Sequence, residues 1–395
     1  MSGRLLRVEV APDSLFGPEN LPYGVFAPPG GGFRVGARLG DTVLDLVALL
    51  GDPVFAQPSL NALLAAGPEH WRTVRARLRE LADTELPIEA VHPVNGVRTA
   101  LPVQIGDYVD FYASIDHATN LGRLLRPDSE PLLPNWRHLP VGYHGRAGTV
   151  VVSGTPIIRP RGQRRTDAGT PDFGPSRRLD IEAELGFVVG TGSPLGVPVD
   201  VDDFAGHVFG VALVNDWSAR DIQAWEYQPL GPFLGKSFST SISAWITPLA
   251  ALAEARVALP PQDPPPLPYL RGTDDHGLDI DLTVSWNGDV VAHPPYARMY
   301  WSPAQMLAHL TANGASVRPG DLYASGTISG PEPDQRGSFI ELSWGGTQPV
   351  TVRGESRTFL ADGDEVTITA TAPGTAGRRI GLGEVGGRIL PARTT

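Results

Sequence analysis

The sequence has no cysteine in its 395 residues and only three methionines. The lack of cysteine excludes disulfides, a thiolate nucleophile and a cysteine-ligated metal. No apolar run is as long as a membrane span, and the first residues, MSGRLLRVEVAPD, lack the apolar core of a signal peptide. We therefore expect a cytoplasmic protein that has no membrane partner.

Positive charge is also scarce. The chain has 32 lysine and arginine residues against 43 aspartate and glutamate residues, which gives a formal net charge of -11. A surface with this balance repels phosphate-rich polymers, so we expect no nucleic-acid partner. An acidic chain suits a protein that collects cations, although many enzymes are acidic for solubility alone.

Long helices are expected to be few, because 46 glycines and 39 prolines interrupt the chain. Short strand-like runs come first, and two helices follow near residues 59–66 and 68–82. After a connector near 94–106, we predict strands at 149–152, 181–189, 207–214, 280–286, 339–343 and 365–371. A later helix begins after the N-cap Ser302 and ends at Asn313-Gly314. The predicted fold is β-rich (α+β), with one unit over residues 1–106 and another over 107–395.

The stretch LDIEAELGFVVG contains the most informative pattern. Apolar residues alternate with Asp180, Glu182 and Glu184, which is the period of a strand that has one apolar and one acidic face. Glu182 and Glu184 then lie side by side, and their repulsion favours a divalent cation held by oxygen ligands. A solvated strand face explains the same alternation, so the strand alone leaves both interpretations open.

A predicted helix follows Asp216 in the stretch NDWSARDIQAWEY and places Arg220, Gln223 and Tyr227 on one face. Arginine can hold an oxyanion, and the amide and the phenol can donate hydrogen bonds. Asp216 is interpreted as the N-cap of this helix, as a metal ligand, or as both. Arg220 can equally pair with acidic neighbours on its own helix, so the pattern fits a structural and a functional role.

One histidine is a candidate general base. His117 lies in the polar stretch DFYASIDHATN, where an isolated histidine is more often structural than catalytic. Glu341, in GSFIELSW, alternates with the apolar residues Ile340 and Leu342 on a predicted strand. A carboxylate in that position can orient an imidazole and stabilise its charge.

Three familiar motifs are excluded. GPFLGKS is one residue short of a phosphate-binding loop. Gly381, Gly383 and Gly386 match G-x-G-x-x-G, but the chain ends nine residues later, which leaves no room for a dinucleotide-binding unit. ASGTISG lacks the spacing of a serine nucleophile elbow. Water is therefore the expected nucleophile, and no organic cofactor is expected.

Several long motifs resemble the fumarylacetoacetase family. They are NLPYGVF, DFYASIDHATN, LPNWRHLPVGYHGRAGTVVVSGTPI, NDWSARDIQAWEYQPLGPFLGKSF, YASGTISGPEP and LADGDEV, and the resemblance extends from about Asn20 to about Ala392. It implies a homodimer in which a small SH3-like N-terminal barrel (1–106) precedes a large mixed β-sandwich roll (107–395). It also implies hydrolysis of the diketo dicarboxylate 4-fumarylacetoacetate to fumarate and acetoacetate, the last step of tyrosine and phenylalanine degradation.

The resemblance implies roles for individual residues. The divalent-metal ligands are Asp110, Glu182, Glu184 and Asp216, and a second, structural cation site lies near Asp216, Lys236 and Thr240. The general base is His117, held by Glu341, and the oxyanion donor is Arg220, assisted by Gln223 and Lys236. The substrate contacts are Tyr112, Arg126, Tyr143, Gln223, Tyr227 and Thr327. Oxygen ligands favour Ca²⁺, Mg²⁺ or Mn²⁺ over Zn²⁺.

Two alternatives remain open. One is an acylpyruvate or fumarylpyruvate hydrolase of the same superfamily, which turnover of the different substrates would separate. The other is a non-catalytic, metal-dependent protein that binds small carboxylates. The presence of both His117 and Glu341 favours an enzyme over a binding protein.

Overall fold

The computed structural model describes residues 4–166 and 168–394. None of the helices in these two ranges is long and apolar enough to cross a membrane. The α-helices are α1 (Leu46–Leu50), α2 (Asn61–Ala65), α3 (Gly67–Ala82), α4 (Ile115–Leu125), α5 (Phe204–His207), α6 (Arg220–Glu226), α7 (Pro303–Thr311) and α8 (Phe339–Leu342).

Strands make up most of the regular structure. The N-terminal strands are β1 (Leu5–Arg7), β2 (Tyr23–Ala27), β3 (Arg34–Leu39), β4 (Thr42–Asp45), β5 (Glu85–Pro87), β6 (Val91–Pro93) and β7 (Arg98–Ala100). The middle strands are β8 (Tyr108–Phe111), β9 (Gly142–His144), β10 (Val150–Val152), β11 (Ile157–Ile158), β12 (Arg161–Arg165), β13 (Pro171–Pro175), β14 (Leu179–Asp180), β15 (Ala183–Val189), β16 (Val208–Asp216), β17 (Ser218–Ala219), β18 (Thr240–Ile242) and β19 (Trp245–Pro248). The last strands are β20 (Arg256–Val257), β21 (Gly277–Leu278), β22 (Asp281–Trp286), β23 (Asp289–Ala292), β24 (Leu322–Ala324), β25 (Val350–Val352), β26 (Glu355–Arg357), β27 (Glu365–Pro373) and β28 (Arg379–Leu390).

The largest sheet runs through both predicted units. Its main path is β6-β4-β3-β2-β19-β16-β15-β24-β8-β9, and β7, β10 and β18 pair alongside. Strand β2 pairs with β3 along one edge. Along its other edge, residues 23–24 pair with β19 and residues 25–27 pair with β7. Because the sheet continues from β2 into β19, the N-terminal strands extend it. The strands in the described ranges form no closed barrel, and the SH3-like detail of the expectation is not confirmed.

A second sheet, in the order β11-β28-β27-β22-β23, packs against the first. Strand β28 lies against β16, so apolar side chains of the two sheets share one core, to which Leu213 and Val385 belong. Trp286 of the second sheet stacks on Phe339 at 4.3 Å between ring centroids, which fixes α8 against this layer. The mixed, strand-rich class predicted from the sequence is confirmed.

Helices were predicted well where their signals are local. The helices near 59–66 and 68–82 are present as α2 and α3. Ser302 caps α7 in a capping box with Gln305, and Pro303 is its first residue, as predicted. The predicted strand at 339–343 is wrong, because this stretch forms the helix α8. Its alternation was too short to distinguish a strand from a single helical turn.

The topology brings three strand ends together. Strand β24 runs parallel to β8, with Ala324 opposite Asp110, and antiparallel to β15, with Ala324 opposite Gly186. Strand β15 runs antiparallel to β16. The carboxyl ends of β8 and β16 therefore meet the amino end of β15 at one side of the sheet, where the predicted acidic residues lie.

Candidate active site

Four buried carboxylates form one cluster. Asp110 comes from β8, Glu182 from the short link between β14 and β15, Glu184 from β15 and Asp216 from the end of β16. One oxygen of each lies within 4.8 Å of the others. Asp180, Glu182 and Glu184 are all buried, so the solvated-face interpretation of the acidic strand is wrong. Carboxylates this close repel one another, and nearby cations or protonation relieves that repulsion.

Two cationic side chains enter the cluster from loops distant in sequence. Lys236 donates to Glu182 and, at 2.8 Å, to Asp216. Arg146 donates through one nitrogen to Asp110 at 2.7 Å and to Asp216 at 2.8 Å. Arg146 has no role among the residues predicted from sequence, although it lies within the family motif PVGYHGR. Its contacts depend on the fold, and no local pattern points to them.

Two aromatic rings flank the guanidinium of Arg146. Its central carbon lies 4.8 Å from the ring centroid of Tyr108 and 4.9 Å from that of Tyr143. The Arg146 side chain is only 4% exposed. Both rings therefore screen this cation from water, which strengthens its interaction with the two carboxylates.

The site contains more carboxylates than cationic side chains. Asp180 joins the four clustered carboxylates through Arg220, which pairs with both Asp180 and Glu182. Five carboxylates thus face three cations, Arg146, Lys236 and Arg220. If all five are ionised, two negative charges remain, which is the charge that one divalent cation neutralises.

Several carboxylate oxygens of the cluster accept no hydrogen bond in the described structure and are available as metal ligands. Both carboxylate oxygens of Glu184 and one of Asp110 are buried without a hydrogen-bond partner in the described structure. Burial, together with the charges of Asp110 and Glu182, holds the pKa of Glu184 well above its usual value. At Glu182 burial acts in the same direction, but Lys236 and Arg220 outweigh it and lower the pKa. The donor set is entirely oxygen, as hard divalent cations prefer.

Asp216 does not cap the helix that follows it. The helix α6 begins at Arg220, and its N-cap position is Ala219, which makes no side-chain cap. Both oxygens of Asp216 are used inside the cluster, because Thr240 donates to the second one at 2.6 Å. The N-cap interpretation is therefore wrong. The side chains of Lys236 and Thr240 both donate to Asp216, and a second cation site near them stays a prediction.

Arg220 is held from two sides and keeps one free nitrogen. Its Nε donates to Asp180 at 2.7 Å, and its Nη1 donates to Glu182 at 2.8 Å and to Gln223 at 3.0 Å. The predicted pairing with acids of its own helix is wrong. Its Nη2 is buried and has no partner in the described structure. Gly235 packs closely against Gln223, and a Cβ added at Gly235 would lie 2.8 Å from the backbone nitrogen of Gln223.

His117 and Glu341 form a buried pair. Ser114 caps α4, which places His117 in the first turn, where its Nδ1 lies 2.7 Å from Glu341 Oε2. Asn120, Ser338 and Ser329 also donate to Glu341, at 3.0, 2.6 and 3.1 Å. Burial opposes ionisation of Glu341, but His117 and the hydrogen bonds from Ser338 and Asn120 lower its pKa overall. An ionised Glu341 orients the imidazole so that Nδ1 donates and Nε2 is left to accept a proton.

The pair and the cluster open onto one cavity of about 400 Å³. Every residue predicted to contact the substrate lines it, namely Tyr112, Arg126, Tyr143, Gln223, Tyr227 and Thr327. Tyr143 and Thr327 each present a buried hydroxyl that has no partner in the described structure. The cavity is also lined by His117, Arg220, Lys236, Asp110 and Glu182, whereas Glu184, Asp216, Thr240 and Glu341 lie behind its wall. Its volume suits a small organic molecule.

Comparison with known proteins identifies two adjoining profiles. The profile described as fumarylacetoacetase, N-terminal, matches residues 19–102, and that described as fumarylacetoacetate (FAA) hydrolase, C-terminal, matches residues 108–389. The chain is 47% identical over 413 residues to fumarylacetoacetase of Rattus norvegicus, and 47% identical over 415 residues to that of Homo sapiens. It is 46% identical over 413 residues to that of Arabidopsis thaliana. Each alignment covers 98% of both chains.

Solved structures share the fold at lower identity. Fumarylacetoacetate hydrolase (EaFAH) from Exiguobacterium antarcticum superposes with a TM-score of 0.59 and is 18% identical, covering 94% of this chain and 100% of that one. Maleylpyruvate hydrolase from Sphingobium sp. SYK-6 gives a TM-score of 0.53 at 18% identity, with the same coverage. These similarities concern the fold alone. The two profiles and the full-length relatives show that the chain belongs to the fumarylacetoacetate hydrolase family.

Proposed function

We propose that this chain hydrolyses 4-fumarylacetoacetate to fumarate and acetoacetate. The observation that carries the proposal is that the His117–Glu341 pair and the acidic cluster open onto the same cavity. A general base beside a cation site suits the hydrolysis of a 1,3-diketone, in which water must lose a proton and negative charge must be stabilised. The full-length similarity to curated fumarylacetoacetases supports this substrate.

The cation site in this proposal consists of Asp110, Glu182, Glu184 and Asp216. When bound there, a divalent cation supplies Lewis acidity and a template for the oxygens of the diketone. The oxygen donors favour Ca²⁺, Mg²⁺ or Mn²⁺. The two unneutralised charges of the site support a divalent ion over a monovalent one.

His117 acts as the general base in this scheme. Its Nε2 accepts a proton from water while Glu341 stabilises the imidazolium charge through Nδ1, which contributes roughly 10²–10⁴ to the rate. The water oxygen then bonds to the carbonyl carbon of the fumaryl group, and the π electron pair of that carbonyl moves onto its oxygen. When this oxyanion collapses to the new carboxyl group of fumarate, the bond to the methylene carbon between the two ketone carbonyls breaks. That carbon keeps the electron pair and takes up a proton, and it becomes the methyl group of acetoacetate.

Donors beside the cavity stabilise the developing oxyanion. The free Nη2 of Arg220 is the main one, because it is buried, charged and without another partner in the described structure. Gln223 accepts from Arg220 through its amide oxygen, which leaves its amide nitrogen to donate. Lys236 uses two of its three protons on Glu182 and Asp216, so one remains.

The remaining polar residues of the cavity orient the substrate. Arg126 binds a terminal carboxylate, since its Nε is buried and has no partner in the described structure. Tyr143 and Thr327 offer their free hydroxyls, and Tyr112 and Tyr227 complete the wall. The family resemblance supports a cytoplasmic homodimer, with domains 1–106 and 107–395, that acts in tyrosine and phenylalanine degradation.

The test is turnover by the full chain after it is saturated in turn with Mg²⁺, Ca²⁺ and Mn²⁺. Loss of the diketone absorbance of fumarylacetoacetate, with equal release of fumarate and acetoacetate, supports the proposal. The metal-free chain, kept in a chelator, is the control and should be inactive. Faster turnover of acylpyruvates or fumarylpyruvate would instead assign the chain to a related hydrolase, and binding without cleavage would assign it to a carboxylate-binding protein.

A further inference from the structure

We propose that Asp180 is a positioning residue that binds both the oxyanion donor Arg220 and the start of α8, the helix that carries Glu341, the partner of the general base. The proposal rests on the function proposed above. Sequence reasoning treated Asp180 only as part of an acidic strand face, and it contacts neither the cavity nor the four-carboxylate cluster directly. Its importance follows from what its two oxygens hold.

Asp180 is fully buried and uses both oxygens. One accepts hydrogen bonds from the backbone N–H groups of Phe339 and Ile181, each at 2.7 Å. The other accepts from the Nε of Arg220 at 2.7 Å and from the backbone N–H of Ile340 at 3.0 Å. All four partners are donors, so the position requires a side chain that only accepts.

On one side, Asp180 sets the direction of Arg220. A guanidinium bound at Nε cannot rotate about its long axis without breaking that bond. With Nε on Asp180 and Nη1 on Glu182, the guanidinium of Arg220, a residue that lines the cavity, is held in one orientation. The oxyanion donor is therefore preorganised before substrate arrives, as electrostatic catalysis requires.

On the other side, Asp180 holds the start of α8. The first N–H groups of a helix have no partner within it, and here two of them, from Phe339 and Ile340, bind Asp180. The helix has four residues, and Glu341 is the third. So short a helix has little stability of its own, so Asp180 contributes directly to holding Glu341 against His117.

Asparagine has the same shape as aspartate but is the wrong replacement. Its amide nitrogen is a donor, so in Asp180→Asn it would face either the guanidinium or a backbone N–H, which are donors as well.

A matched control exists at Asp321, which is also buried and accepts from the backbone of Asp107 and from the backbone and Nε of Arg318. Neither partner of Asp321 lines the active cavity.

The experiment compares Asp180→Asn and Asp321→Asn, both saturated with metal, by steady-state kinetics and by amide hydrogen exchange. In Asp180→Asn we expect kcat to fall by roughly 10- to 100-fold with KM little changed, the range found for groups that orient catalytic ligands. We also expect faster exchange at the amides of residues 339 and 340. Asp321→Asn should leave both readouts at these sites unchanged, even if its melting temperature falls.

A double variant separates positioning from a general loss of stability. If Asp180 acts through Glu341, then Asp180→Asn combined with Glu341→Gln should lose less than the product of the two single losses. Asp180→Glu keeps the charge and displaces the carboxylate, so its kcat should lie between wild type and Asp180→Asn. If Asp180→Asn does not fold, an unchanged kcat in Asp180→Glu overturns the proposal.

The outcomes distinguish this proposal from the proposed function. If wild type hydrolyses fumarylacetoacetate and Asp180→Asn matches its kcat and its exchange at 339 and 340, the positioning role is wrong and the function stands. If wild type does not hydrolyse it, the function is wrong. Hydrogen exchange at the amides of residues 339 and 340 then tests whether Asp180 anchors α8. If Asp180→Asn leaves these exchange rates unchanged, the positioning role is wrong.

Discussion

His117 Nδ1 lies 2.7 Å from Glu341 Oε2, although the two residues are 224 positions apart in the chain. The fold brings a short helix from near the end of the chain against the first turn of α4. Three further donors hold the same carboxylate, so the pair is a preorganised unit and not an incidental contact. Its two members should behave as one in kinetics.

The first prediction concerns Glu341→Gln. This change removes the charge that stabilises the imidazolium of His117 and can favour the wrong tautomer, so kcat should fall. Adding it to His117→Gln should cost little more than His117→Gln alone, because both changes disable one unit. Steady-state kinetics on the two single variants and the double variant measures this. Losses that multiply in the double variant would show that the two residues act independently.

The second prediction concerns Glu184→Gln. Both oxygens of Glu184 are buried without a partner in the described structure, so removing its charge relieves repulsion in the metal-free protein. We expect the metal-free melting temperature to stay the same or to rise. In wild type, metal at a concentration 100 times Kd raises the free energy of unfolding by about 2.7 kcal/mol. This stabilisation by metal should be lost in Glu184→Gln. Thermal unfolding with and without chelator measures both effects.

Asp216→Asn is the matched comparison for Glu184→Gln. Asp216 accepts from Arg146, Lys236 and Thr240, so this change leaves buried donors with a poorer partner. It should lower the metal-free melting temperature as well as abolish the metal response. If Glu184→Gln lowered the metal-free melting temperature as much as Asp216→Asn does, the assignment of Glu184 as the unneutralised member of the cluster would fail.

Glu182 and Glu184 show which features of the acidic cluster can be predicted from the sequence. The period-two alternation around Glu182 and Glu184 correctly predicts that both side chains lie on one side, because strand geometry is local. It does not indicate that the face is buried, since burial depends on the partner strands β16 and β24. The common side of these two carboxylates was therefore predictable, whereas the buried cation Arg146, which pairs with Asp110 and Asp216, was not.

The third prediction concerns Arg146→Met. In the metal-free protein this change leaves Asp110 without its buried cation and Asp216 with Lys236 alone, which should cost about 3–5 kcal/mol of unfolding free energy. The loss should be smaller when metal is bound, because the metal neutralises the same carboxylates. Denaturant unfolding in chelator and in saturating Mg²⁺ measures the difference.

Arg159→Met provides the control for Arg146→Met. Arg159 is also buried, but it bonds to Asp362 and to the carbonyls of Ser176 and Leu360, away from the acidic cluster. Its loss of stability should be equal with and without metal. Equal losses for Arg146→Met in the two conditions would contradict the placement of Arg146 beside the cation site.

The fourth prediction concerns Arg126→Gln. If Arg126 binds a substrate carboxylate equally in the ground and transition states, KM should rise more than kcat falls. Arg123→Gln is the control, since Arg123 lies in the last turn of α4, which ends just before Arg126, but is exposed and does not line the cavity. It should leave both constants unchanged. A fall in kcat at constant KM for Arg126→Gln would argue against this binding role.

The helix α8 shows most clearly why part of the site was not predictable. Ile340, Glu341 and Leu342 alternate as in a strand, and Ser338 at the N-cap makes no side-chain capping hydrogen bond. The helix forms because Asp180, from a distant part of the chain, accepts its first N–H groups, and because Phe339 stacks on Trp286. These are tertiary interactions, and they override the local pattern. Glu341 nevertheless contacts His117, and its role beside a general base stays a prediction.

The most direct test of the account is the rate of fumarate release from 4-fumarylacetoacetate by the metal-saturated wild-type chain and by His117→Ala. Wild type should release fumarate and acetoacetate in equal amounts. In His117→Ala, kcat should be lower by roughly 10²–10⁴, because water then lacks its base, while the metal-induced rise in melting temperature is retained. No fumarate from wild type, or a His117→Ala rate equal to that of wild type, would contradict it.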